Sequence, residues 1–311
     1  MSWVASLRGR GVDLVEGAEL GSRTTYRVGG RARAAVEVGD EGELARLASA
    51  LREIDEPVPL LVVGMGSNIL VSDHGFDGLV VTLGRRNFAR FEAGEDGLVT
   101  AGAALALPVL ARRVSAAGLA GLAWGVGIPG TVGGAVRMNA GGHGSAIGEI
   151  LERAFVADLA GGGGLVARGA SELDLGYRRS AIGDSEVVVK AAFRLAAGDR
   201  EELGRSIGEI VAWRREHQPG GQNAGSVFQN PPDRAAAKLI DEAGLKGFRW
   251  GSAQVSERHA NFIQADPGGR ADDVYALMQE VRAEISKRFG VELLLEVKLI
   301  GFSSVSSGEV A

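Results

Sequence analysis

The spacing of hydrophobic and polar positions changes several times along the chain. ARAAVEV (32–38) alternates and predicts a strand. Asp40 then precedes a helical pattern reaching about Arg52, with Glu43 three residues on as its capping-box partner. PLLVVG (59–64) and LVVTL (79–83) read as short apolar strands, the first followed by the turn GMGSN. Residues 88–104 and 150–169 each read as a hairpin, the first turning at Gly94–Gly97 and the second on a glycine tip. Residues 105–118 carry a helical pattern, and EVVVKAAFRL (186–195) is a further strand.

The texture changes near Gly198, where a domain boundary is expected. A helix from about Arg200 to His217 follows, and RAAAKLIDEAG (234–244) reads as a helix stopped by Gly244. ANFIQAD (260–266) reads as a strand. From Ala271 to Phe289 the apolar residues Val274, Leu277, Met278, Val281 and Ile285 form a helical stripe. LLLEVKLIG (293–301) reads as a closing strand with Leu293, Leu295, Val297 and Leu299 on one face and Leu294, Glu296 and Lys298 on the other. The tail 303–311 has nothing to bury and is expected to be disordered. This mixed order, with hairpins, predicts an α+β fold rather than a wound parallel sheet.

Composition narrows the function classes. The chain has 311 residues, enough for more than one core, and 48 glycines, about twice the usual share. A net charge of −5 offers no basic field for nucleic acid. With no cysteine, disulfides, thiolate metal sites and a cysteine nucleophile are excluded, and the four histidines suggest no metal set. The N-terminal stretch is broken by Arg8, Arg10, Asp13 and Glu16 and does not read as a secretory signal. The segment from Val114 to Arg137 is long and free of charge until its last residue. It carries seven glycines and Pro129, however, and reads as buried backbone rather than a membrane helix. A cytoplasmic protein without membrane insertion is expected.

Two glycine-rich loops stand out. In VVGMGSNILVSDHGFDGLVV (62–81), Gly64 and Gly66 allow a sharp turn, and the N–H groups near Ser67 and Asn68 suit a phosphate. An ordinary strand–turn–strand connection explains it as well. Nothing matches a P-loop, and ILVSD reads as extended where a dinucleotide fingerprint needs a helix. In GIPGTVGGAVRMNAGGHG (127–144), Gly130, Gly133 and Gly134 leave room for a bulky ligand or for tight backbone packing, and Asn139 offers an amide edge. NAGSVFQNP (223–231) sets Ser226 between a glycine and the apolar pair Val227–Phe228. On the residues alone this serine is a turn hydroxyl bonding its own backbone. Likewise Arg178 and Arg179 read as surface charges, Glu296 as an exposed strand carboxylate, and His259 as a packed histidine.

Together these segments resemble the UDP-N-acetylenolpyruvoylglucosamine reductase (MurB) family. The two glycine loops, TTYRVGGRA (24–32), YRRS (177–180), RREHQP (214–219), NAGSVFQNP, SERHANFI (256–263) and LLLEVKLIG occur in the family's order over about residues 22–301. The short connection between YRRSAI and EVVVKAAF resembles the family's compact second type. The resemblance implies a p-cresol-methylhydroxylase-type FAD-binding domain of two lobes over 1–197, with a lobe boundary near 85. A smaller α+β substrate-binding domain over 198–302 follows. Three positions depart from the pattern: His217 and Gln229 stand where lysine is usual, and His143 where tyrosine is frequent.

The implied reaction is NADPH-dependent, FAD-mediated reduction of an enolpyruvyl ether on a UDP-sugar to a lactyl ether, in peptidoglycan precursor synthesis. By resemblance, noncovalent FAD is held by Gly64, Met65, Gly66, Ser67, Asn68, Ile69, Leu70, Pro129, Gly130, Thr131, Gly133, Gly134, Asn139 and Gly141. The implied catalytic residues are Ser226 as proton donor, Arg178 as the cation on the substrate carboxylate, and Glu296 opposite it, helping to polarise that carboxylate. Tyr177, Arg214, Asn230, His259 and Asn261 are implied substrate contacts. A monomer is expected. An oxygen-using FAD oxidase on the same fold, or a non-catalytic flavin- or nucleotide-binding module, are the alternative readings.

Overall fold

The computed structural model describes residues 2–302, so the expectation for the tail 303–311 lies outside the described residues. The chain forms two compact units, one of residues 1–16, 34–65 and 78–216, the other of 17–33, 66–77 and 217 onward. Toward the C-terminus the division between the units falls between Glu216 and His217. The helix Arg200–His217 lies in the first unit up to Glu216.

Two sheets organise the N-terminal part of the chain. One has four strands in the order Val15–Glu19, Arg31–Val38, Phe76–Leu83, Leu60–Val62, with Leu61 opposite Val80 in a parallel pair. The helix Glu41–Arg52 buries Leu44, Leu47 and Ala48 in a core with Val36, Val38, Leu79 and Val81. Asp40 caps this helix, its carboxylate accepting from Glu43 N at 2.8 Å. In return the Glu43 carboxylate accepts from Gly39 N at 2.6 Å rather than from Asp40 N, because the side chain reaches one residue further back.

The second sheet is antiparallel, in the order Leu165–Gly169, Leu151–Asp158, Glu186–Arg194, Leu98–Gly102, Phe91–Ala93. Both sequence-predicted hairpins lie in it. The uncharged segment breaks into the end of helix Leu107–Ala116, a 3-10 turn Ala123–Gly127 and a short helix Val132–Arg137. Leu122, Trp124, Val132 and Val136 bury it in the core of this sheet. Among the described residues no helix is long and apolar enough to cross a membrane.

In the second unit, the strands Arg249–Trp250, Ala253–Val255 and Ile263–Ala265 form an antiparallel sheet, with Gln254 opposite Gln264. The expected strand 260–266 shrinks to three residues. The helix Ala271–Phe289 packs its whole apolar stripe into the core. Each fully buried side chain there contributes about 1.5–3 kcal/mol. Its own N-cap, Arg270, offers no side-chain bond. Asp73 does the capping instead, accepting from Ala271 N at 3.0 Å and Asp272 N at 3.2 Å.

The expected closing strand is regular only over Lys298–Ile300, which pairs in parallel with Ile69–Val71. Residues 293–297 still alternate, with Leu293 and Val297 buried and Leu294 exposed, but the only ladder contact there is a single bridge, Leu295 to Phe228. TTYRVGG closes against the same region. A Cβ at Gly29, where φ is +104°, would lie 2.1 Å from the Val71 carbonyl oxygen, so only glycine fits.

Candidate active site

In the first unit the glycine loops touch. A Cβ at Gly64 would lie 2.5 Å from Thr131 Oγ1, and Thr131 in turn caps the helix Val132–Arg137 by accepting from Gly134 N. Gly133 packs on Ala103, and Gly141 on the Ser145 carbonyl and its strand partner Ala146, so backbone packing accounts for these two glycines without a ligand. Gly134 is open: a Cβ there would meet only Thr131 Oγ1, in ordinary contact at 3.5 Å. The N–H groups of Met65 and Asn68 donate no hydrogen bond among the described residues. Free donors on a turn suit an anionic diphosphate, so the residues present fit the expected dinucleotide cofactor.

Asn139 plays a different part from the one expected of it. It is buried at φ +40°, donates from Nδ2 to Gly176 O and accepts at Oδ1 from Gly148 N, both at 2.8 Å. Its amide therefore ties protein loops together instead of presenting a free edge. The turn it holds is closed by Gly176 and Arg179, which bond each other in both directions and leave Tyr177 and Arg178 at the tip. Arg178 has φ +57°, a left-handed conformation that costs an L-residue about 1–2 kcal/mol. Its Nη2 donates to Gly141 O at 3.2 Å, and its guanidinium lies 5.1 Å from the Tyr177 ring centre. Arg179, the neighbour, is an exposed partner of Asp174. Ser180 donates to Arg137 O at 2.6 Å, and the Arg137 guanidinium clamps Ile182, Gly183 and Asp184. Sequence reasoning missed Arg137 because its partners lie more than forty residues away.

Arg214 is half-buried beside Gly127, and burial pulls its pKa below the ordinary arginine value. Its guanidinium has no hydrogen bond or ion pair among the described residues. A buried, unpaired cation favours an anionic ligand. His143, at φ +53°, stacks edge-on with Trp213 at 5.4 Å.

In the second unit, Ser226 is half-buried and its hydroxyl makes no hydrogen bond among the described residues, so the turn-hydroxyl reading does not hold. The turn is made instead by Asn223, whose side chain accepts from Gly225 N at 3.0 Å, with Gly225 at φ +77°. Beyond Ser226, Val227 N donates to Asn261 O, and the Val227 carbonyl accepts from Glu296 N at 2.8 Å. Asn68 Nδ2 donates to Glu296 O at 3.1 Å, and Lys298 N donates to Asn68 O at 3.0 Å. The loop at Asn68, the strand end at Glu296 and the Ser226 segment are thus one hydrogen-bonded cluster.

The expected substrate contacts divide. Tyr177 is exposed. Asn230 accepts from Ala236 N at 3.0 Å, at the start of helix Ala236–Glu242. Asn261 is buried and its amide is bonded to Phe228, so a ligand contact does not account for it. His259 packs edge-on against Phe262 with Nδ1 buried and unpartnered; burial first, then the Lys246 charge, lowers its pKa. Gln229 donates to Leu295 O and is a structural group here.

Family models match two stretches: an FAD binding domain over residues 32–162, and the UDP-N-acetylenolpyruvoylglucosamine reductase C-terminal domain over 217–300. The C-terminal match begins where the second unit resumes. The UDP-N-acetylenolpyruvoylglucosamine reductase of Heliobacterium modesticaldum is 45% identical over 287 residues, covering 91% of this chain and 90% of its own. That of Parasynechococcus marenigrum is 42% identical, covering 91% and 94%. The crystal structure of the Thermus caldophilus enzyme superposes with a TM-score of 0.79 at 34% identity, covering 93% of this chain and 98% of that one. With its α+β architecture, its FAD domain and its matching C-terminal domain, this chain belongs to the UDP-N-acetylenolpyruvoylglucosamine reductase family.

Proposed function

We propose that Ser226, Arg178 and Glu296 carry the chemistry of this enzyme. The chain is an FAD-containing, NADPH-dependent reductase that converts UDP-N-acetylglucosamine enolpyruvate to UDP-N-acetylmuramate, a step of peptidoglycan precursor synthesis. When bound, FAD would supply the hydride chemistry at the substrate alkene, with NADPH as the reductant. The protein must then stabilise negative charge spread from the adjacent carbon into the carboxylate, and must protonate that carbon.

The Ser226 hydroxyl is the proposed proton source. The observation that carries this reading is its free hydroxyl, held on a fixed backbone beside the fully buried Val227 and Phe228. A hydroxyl is a weak acid, but a carbanionic carbon is a strong base, so position matters more than acidity. Arg178 supplies a permanent, planar charge for the substrate carboxylate. Its left-handed backbone fits a residue retained for function at a conformational cost. Glu296 polarises the same carboxylate, and Arg214 and His259 contact the rest of the substrate. The free N–H group at Met65 and the open face at Gly134, both in the first unit, would receive the cofactor. The reading extends to a monomer working in the cytoplasm, where nucleotide sugars are made.

Purified protein should be yellow, bleach anaerobically with NADPH, and recolour when the enolpyruvyl substrate is added. A protein that recolours only with oxygen is an oxidase, and one that never bleaches is a binding module.

A further inference from the structure

No described residue bonds the Ser226 hydroxyl, so its place is set by its backbone, and that backbone is set by its neighbours. On one side stand Gly225 and the Asn223 turn. On the other, Asn261 grips the chain three times. Its carbonyl accepts from Val227 N at 2.9 Å, its Oδ1 accepts from Phe228 N at 2.9 Å, and its Nδ2 donates to Phe228 O at 2.8 Å. Asn261 is 3% exposed and Phe228 1% exposed, so no bulk water competes for these groups.

We propose that Asn261 is a positioning residue that fixes Ser226 for proton transfer, through its paired hydrogen bonds to both main-chain groups of Phe228. This rests on the reading of Ser226 as the proton donor. The residue type follows from the task. A carboxamide is neutral and presents one acceptor and one donor side by side, matching the N–H and C=O of a single extended residue. Leucine would leave both main-chain groups buried and unpaired. An ionised aspartate would keep the acceptor for Phe228 N but set a negative oxygen against Phe228 O. A protonated aspartic acid would restore the missing donor. Burial and that carbonyl both favour the neutral acid and raise the pKa of an aspartate placed here.

The test is Asn261→Asp, assayed with bound FAD as two separate single-turnover half-reactions. Misplacing a reacting group by about 1 Å costs on the order of 10²-fold. At pH 8 the reoxidation of reduced enzyme by the enolpyruvyl substrate should therefore slow about 10–10²-fold, while reduction by NADPH stays within about twofold of wild type. The deficit should close as pH falls and the new acid is protonated. On a Ser226→Ala background the same change should add no further loss, because its effect runs through the serine. A deficit that does not vary with pH, equal slowing of both half-reactions, or losses that multiply in the double variant would overturn the inference. Should Asn261→Asp fail to bind flavin, Asn261→Ser is measured instead, with the same half-reaction split and the same double variant. If Ser226→Ala is slow and both Asn261 variants are normal, this inference alone falls. If Ser226→Ala is itself normal, the proton-donor reading falls with it.

Discussion

The N–H of Glu296 donates to the carbonyl of Val227 at 2.8 Å, which ties the carboxylate-bearing residue to the residue directly after Ser226. One backbone hydrogen bond therefore links Glu296 to the residue next to Ser226. Both residues lie in the second unit, so their spacing is a property of that unit's own fold.

Arg178 and Glu296 are assigned to the substrate and not to the nicotinamide. Arg178→Ala, Arg178→Gly and Glu296→Gln should each slow flavin reoxidation by the enolpyruvyl substrate about 10²–10³-fold, with NADPH reduction little changed. Because Arg178 sits at φ +57°, Arg178→Gly should also be more stable than Arg178→Ala, by about 1 kcal/mol. Stopped-flow absorbance and urea unfolding read the two effects. Equal slowing of both half-reactions contradicts the assignment.

Asp73 caps the helix Ala271–Phe289 from nearly two hundred residues away. Asp73→Ala should lower stability by about 1 kcal/mol, the typical worth of an N-cap. Its ion pair with Arg270 is exposed and should add little. An unchanged urea midpoint would show that the cap does not matter.

The Asp273 carboxylate accepts from the N–H and the hydroxyl of Ser252, at 2.8 and 2.7 Å, and the backbone bond first, then the hydroxyl, lowers its pKa. A lowered folded pKa stabilises the protein above the unfolded value of about 3.9, and this is lost as pH falls through the folded pKa. Asp273→Asn should thus unfold earlier than wild type at pH 7, and the gap should narrow below about pH 4. Denaturant midpoints across that range measure it. A gap independent of pH would mean the charge is not what the two bonds hold.

Local pattern in the sequence reaches some of this structure and not the rest. The helix Ala271–Phe289 was legible because five apolar residues repeat at helical spacing, and the end of helix Ala236–Glu242 was legible from Gly244, which lies just past it at a left-handed φ of +71°. The motif residues of the family were legible by their order. The makeup of the second unit was not, because residues 66–77 join it through the parallel pairing of Ile69–Val71 with Lys298–Ile300, and a parallel partner leaves no local mark. The protein partners of Asn139 and Asn261 were illegible for a related reason. An asparagine in a loop motif looks like a ligand contact until its amide is seen bonded to a segment about thirty-five residues away.

The central claim is that Ser226 delivers the proton, and the most direct measurement is single-turnover reoxidation of NADPH-reduced Ser226→Ala by the enolpyruvyl substrate. Loss of a positioned general acid should slow that step about 10²–10⁴-fold. Substrate affinity should change by no more than about 1 kcal/mol, the net worth of one hydrogen bond. Ser226→Cys should recover part of the rate. A folded, yellow Ser226→Ala enzyme that reoxidises within a few-fold of wild type would remove Ser226 from the mechanism.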